Sequence, residues 1–147
     1  WPEAGTVSGS FDTTWDTGWG SWLANPGTMN MAIDGMPDAV GNVGSFSHLS
    51  ATEGTFGEAA IQITGLAPDG RYVIVSFFMA PGLMAPDTTL PIDWGDVRGV
   101  VGWFIPLETR FELTGLLVDG ELSLEKASTS PGEDVIGTFS ATVISQP

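Results

Sequence analysis

The sequence predicts a single all-β domain, a β-sandwich or jelly-roll-like arrangement of about eight or nine mostly antiparallel strands, with a small closed β-barrel as the alternative. Three observations carry this. Apolar residues recur with a period of two, and no window of about eleven residues shows helical spacing. Glycine supplies 20 of 147 positions, about twice the usual share, while charged residues make up 15% against roughly 25% in an ordinary domain. Hydrophobic residues at 42%, including 8 Phe and 6 Trp, are enough to bury a core and argue against wholesale disorder.

The elements follow in order. Residues 1–14 read as an N-terminal strand or arm, with Val7 and Phe11 alternating with Ser8 and Ser10. Thr13 to Gly27 reads as a long irregular stretch. Met29, Met31 and Ile33 then share one side of a second strand that ends at the turn Asp34-Gly35. Phe46 and His48 would share a face of a third strand, and Ile61 and Ile63 a face of a fourth. Arg71 to Met79 is a continuous Val-, Ile- and Phe-rich run, expected at the centre of the sheet and covered on both faces. Ala80 to Asp96 reads as the second long irregular stretch, longer than a simple connection needs.

Val97 to Ile105 forms another strand, broken by Gly99 and Gly102 and stopped by Pro106. Leu117 leads into Asp119-Gly120, and Leu122 and Leu124 follow, a pattern that predicts a hairpin with a type I′ turn because both central residues must take positive φ. Ser130-Pro131-Gly132 makes a further turn. Val135, Gly137, Phe139, Ala141 and Val143 complete the last strand. A Gly-Ser/Thr-Phe triplet occurs at Gly9, Gly44, Gly54 and Gly137 without a fixed period, so it marks strand entrances rather than a solenoid. Its first and last copies are expected to occupy equivalent places at sheet edges. No linker divides the chain, and residues 1–147 form one domain.

Charge and composition exclude several functions. Acidic residues outnumber basic ones 18 to 4, giving a net charge of −14, and Arg71, Arg98, Arg110 and Lys126 stand singly. Nucleic acid and anionic membrane surfaces need clustered cations, so neither is a partner. Without Cys there is no disulfide framework and no thiolate chemistry. The longest apolar run, Tyr72 to Leu83, spans about twelve residues against the roughly 20 of a membrane-crossing helix. The start at Trp1, with no basic and apolar leader before it, is expected of a chain whose signal peptide has been removed or of one trimmed to resemble it. Together with the Gly-, Ser- and Thr-rich, Lys-poor composition, this places the protein among exported chains: extracellular, cell-surface or periplasmic.

The residues able to carry chemistry are few. Trp15, Trp19 and Trp22, with Asp16 among them, lie in a Gly-, Thr- and Ser-rich segment that either caps one end of the fold or presents indoles for stacking on a sugar while Asp accepts its hydroxyl hydrogens. Trp94, between Asp93 and Asp96, is counted with these residues as a ligand contact. That tight acidic turn is the pair selected for calcium, which takes oxygen ligands from loops, although no EF-hand pattern is present. His48 is the sole imidazole, and no Gly-x-Ser-x-Gly elbow accompanies it. Two carboxylates would still suffice for a glycosidase. Met29 with Met31, and Met79 with Met84, are read as core filling.

The expectation is therefore a non-catalytic exported module acting in cell-surface binding or as a structural subunit, its partner a glycan or another surface protein. No cofactor is required, with calcium the one ion considered. Two alternatives remain: a carbohydrate-binding or carbohydrate-active protein using Trp15 to Trp22, and a homo-oligomer joined by addition of the N-terminal strand to a neighbour.

Overall fold

A computed structural model describes residues 3–16, 28–33, 48–53, 58–66, 72–105, 108 and 110–145. Nine strands run through them: β1 (Glu3–Asp16), β2 (Thr28–Ile33), β3 (His48–Glu53), β4 (Ala59–Leu66), β5 (Tyr72–Met79), β6 (Thr88–Ile92), β7 (Val97–Ile105), β8 (Arg110–Lys126) and β9 (Asp134–Ser145). The all-β class holds. The strands form one continuous sheet curled into a half-barrel. Facing walls of that sheet do what two stacked sheets do in a sandwich.

Pairing runs β3-β4-β5-β7-β8-β9-β1, antiparallel throughout. The two ends of this series touch over two residue pairs, Trp15 and Asp16 of β1 lying parallel to Ala51 and Thr52 of β3. The degree of curl follows from one aromatic contact. Phe77 of β5 and Phe139 of β9 are three strand steps apart, at least about 14 Å along a flat sheet, yet their ring centroids lie 5.1 Å apart at an interplanar angle of 61°. The sheet must bend to bring them edge to face, a geometry worth about 1 kcal/mol beyond the area it buries.

Alternation decides which residues reach that interior. In β9 the residues Val135, Phe139, Ala141 and Val143 are buried, and in β4 so are Ala59, Ile61 and Ile63. Along one inner row the register places Ile61, Phe77, Gly99 and Leu117 side by side. A Cβ at Gly99 would stand 2.9 Å from Leu117 Cδ1. The missing side chain therefore makes room for its large neighbour, and the row fills without a gap.

The expectation for β5 needs correction. Val73, Val75, Phe77 and Met79 are buried on the inner side, while on the outer side Ser76 is buried and Ile74 and Phe78 are half-buried. An uninterrupted apolar run thus occupies a strand whose second face is only partly covered. Met79 and Met84 are both buried among apolar side chains, as core filling requires.

The first and last Gly-Ser/Thr-Phe triplets pair with each other. Phe11 stands opposite Gly137, Ser10 opposite Thr138, and Gly9 opposite Phe139. Antiparallel pairing of two such triplets creates a local two-fold in which each phenyl ring has a glycine across the ladder. A Cβ at Gly137 would lie 2.8 Å from Phe11 Cζ, so that ring covers the glycine backbone. The copies at Gly44 and Gly54, the turn Asp34-Gly35, and Phe46 lie outside the described residues.

The predicted hairpin at Asp119-Gly120 does not form. β8 runs straight through both residues, and its register with β9 steps from Val118↔Thr142 to Glu121↔Ser140. One extra residue is accommodated as a β-bulge, with Asp119 at φ 50°. Asp-Gly tolerates positive φ in a bulge as readily as in a turn. The bulge also serves the core: Leu117 and Leu122 are an odd number of positions apart, and only an inserted residue lets both face inward, where each is fully buried. Gly120 is needed because a Cβ there would fall 2.0 Å from the Ser140 carbonyl oxygen.

Two further boundaries move. Trp15 and Asp16, expected in an irregular loop, end β1, and Ala80 to Asp96 contains β6 and a short 3-10 turn at Pro81–Leu83. Pro91 disguised β6 as loop; it is tolerated because β6 is short and its main partner is β8 alone. The turn at Ser130-Pro131-Gly132 is present, closed by the Glu133 N–H donating to the Ser130 carbonyl at 3.1 Å, with Gly132 at φ 85°. The N-terminal strand pairs within its own chain, with β9 along Glu3–Thr14 and with β2 along Gly5–Ser10. Among the described residues no helix is long and apolar enough to cross a membrane.

Candidate functional site

The site begins with an interruption. β6 and β7 lie along the same edge of β8, Ile92 opposite Gly120 and Gly99 opposite Leu117. Between those pairs β8 spends only Val118 and Asp119, whereas the β6–β7 side spends residues 93–98. The excess leaves the sheet as the excursion Asp93-Trp94-Gly95-Asp96, and its ends rejoin where Ile92 pairs with Val97.

Local hydrogen bonds hold this excursion in one shape. The Trp94 N–H donates to the Val97 carbonyl at 3.1 Å, and the Gly95 N–H donates to Asp93 Oδ1 at 2.8 Å, the Asx arrangement to which Asp is suited. Trp94 sits at φ 65°, a left-handed conformation that costs a non-glycine residue on the order of 1–2 kcal/mol. Its indole Nε1–H donates to the Leu117 carbonyl at 2.9 Å. The polar edge of the ring is thereby tied to the sheet, and the side chain stays 39% exposed, the one large hydrophobic side chain so exposed among the described residues. Asp93, Gly95 and Asp96 around it are exposed as well.

The sequence-selected residues separate accordingly. Trp94, Asp93 and Asp96 come together on the excursion. Trp15 does not belong with them: it is 5% exposed within the apolar core, its N–H donates to the Glu133 carbonyl at 2.8 Å, and its carbonyl accepts the Gly132 N–H at 2.9 Å. A ring so enclosed cannot serve as a stacking platform, and its reading as a ligand contact is corrected to that of a core residue sealing the end of β1. Asp16 pairs through its backbone with Thr52. Trp19 and Trp22 lie outside the described residues. Among the described residues no three His, Cys, Asp or Glu side chains gather around one point as a metal ion requires, and one oxygen of Asp93 already accepts the Gly95 N–H.

Other polar contacts are structural in character. Arg98 pairs with Glu58 across the β4–β5–β7 surface, and Lys126 approaches Asp134 at 3.8 Å with both side chains more than half exposed, a pair worth under about 1 kcal/mol. What the excursion offers chemically is a fixed apolar ring face beside carboxylates that accept hydrogen bonds. Comparison with protein-family models, curated proteins and solved structures yields no match, so the site is read from its own geometry.

Proposed function

We propose that the protein is a non-catalytic binding module of exported type, acting at a cell surface, with Trp94 as its ligand contact. One observation carries the reading: an exposed indole held at positive φ and bonded through Nε1 to Leu117. Unfavourable backbone geometry at a bulky residue persists where the surroundings enforce it, and such positions cluster at functional sites. A ring fixed before the ligand arrives loses little side-chain entropy on binding. The ligand class that matches is a glycan, whose C–H faces stack on indole while Asp93 and Asp96 accept hydroxyl hydrogens.

The test is a glycan panel read by indole fluorescence. A change in emission that is abolished in Trp94→Ala and retained in Lys126→Ala supports the reading. A panel that leaves the emission unchanged, or a response equal in Trp94→Ala, overturns it.

A further inference from the structure

A groove of about 510 Å³ crosses the outer face of the sheet where β6, β8, β9 and β1 lie side by side. That volume falls within the range of small-ligand sites. Its concavity has a local cause: the β8–β9 register shifts between Leu124 and Lys126, so β8 carries a bulge at Glu125, and a bulged strand bends. The backbone of Asp87, at φ 53°, joins there by donating its N–H to the Glu125 carbonyl at 3.3 Å.

The floor is a line of hydroxyls, one from each strand. Thr89 stands opposite Ser123, Ser123 opposite Thr138, and Thr138 opposite Ser10, and the Thr89 and Ser123 hydroxyls are 3.2 Å apart. All four point outward, because their neighbours Leu90, Leu124, Phe139 and Phe11 are buried. The carboxylates of Asp12, Asp87 and Glu125 border the line, and among the described residues no Lys or Arg lines the groove.

Chemistry narrows the occupant. An anion meets carboxylates and no cation. An organic cation can donate to the carboxylates and to the hydroxyl oxygens, but it leaves the hydroxyl hydrogens without an acceptor. A neutral polyol uses both, donating to the carboxylates while accepting from and donating to the hydroxyls. The line advances one strand spacing per hydroxyl, about 4.8 Å, and so extends about 14 Å over four strands. One strand spacing is close to the advance of one pyranose ring in an extended chain.

We propose that this groove is a second binding site, for three to four units of an extended neutral glycan lying across the strands. The proposal rests on the reading of the chain as a binding module, but not on Trp94. Amide resonances of the full chain, followed while a neutral β-linked tetrasaccharide is added, test it.

Resonances of Thr89, Ser123 and Thr138 are expected to move, with at least tenfold weaker binding for the monosaccharide and for a uronic-acid chain of equal length. Removing one hydroxyl by Thr138→Val or Thr89→Val, both exposed, is expected to weaken binding about fivefold, while Trp94→Ala leaves it unchanged. Equal binding of the uronic-acid chain, or indifference to both valine variants, overturns the groove site. Loss in Trp94→Ala with no change in the valine variants also overturns it, and leaves the Trp94 reading standing. Failure at Trp94 with the groove response intact has the converse meaning.

Discussion

The pairing of Phe11 with Gly137 makes a quantitative demand on the fold. A Cβ at position 137 would stand 2.2 Å from the Ser123 carbonyl oxygen and 2.8 Å from Phe11 Cζ, against an ordinary contact of about 3.4 Å or more. The first overlap is with backbone in the middle of the β8–β9 ladder, which moves only by disturbing its hydrogen bonds. Overpacking of this kind costs typically 1–3 kcal/mol, and Gly137→Ala is placed at the upper end, about 3 kcal/mol. In urea, with an m value near 2 kcal/mol/M, the midpoint falls by roughly 1.5 M with m unchanged. The thermal midpoint falls on the order of 6–12 °C. Part of the cost belongs to the phenyl ring, so in a Phe11→Leu background the same substitution is expected to cost about 1 kcal/mol less. Gly82→Ala is the control, since nothing lies within 4 Å of a Cβ there; it is expected to be neutral or slightly stabilising. A Gly137→Ala protein within about 0.5 kcal/mol of the parent, or a cost indifferent to Phe11, would refute both the register and the packing of ring on glycine.

Other substitutions test other parts of the argument. Trp94→Gly relieves the left-handed strain that Trp94→Ala retains, so chemical denaturation should find the glycine variant about 1 kcal/mol more stable than the alanine variant; equal stabilities would remove the strain argument. Gly120→Ala sets a Cβ against the Ser140 carbonyl and is expected to lose 3 kcal/mol or so, whereas an unaffected midpoint would mean that β8 does not run unbroken past the bulge. Lys126→Ala removes a partner from an exposed 3.8 Å pair and should change stability by less than about 0.5 kcal/mol, with a larger loss showing that the ion pair has been underestimated.

What could be read from the sequence alone was whatever depends on nearest neighbours. Val135 to Val143 alternate, and β9 buries the predicted side, because the two-residue repeat of a strand is a local property of the backbone. The same holds for Ile61 and Ile63, for the all-β class, and for the turn at Ser130-Pro131-Gly132. Tertiary structure decided the rest, for reasons that particular residues make plain. Asp119-Gly120 supplies positive φ at low cost, and that chemistry serves hairpin and bulge alike; only the burial of both Leu117 and Leu122 on one side distinguishes them, and their odd spacing was the clue. Pro91 hid β6 because its penalty depends on whether a partner claims its missing N–H. The Gly-Ser/Thr-Phe triplets were visible as a repeat, but their mutual pairing joins residues more than a hundred positions apart. Trp15 and Trp94 each stand beside Asp, Gly and Thr or beside Asp and Gly in sequence, and nothing local separates them. One closes the core and the other is held out from it, because burial is set by where distant strands meet, and β1 ends against β3 and β9 while the Trp94 excursion leaves the sheet.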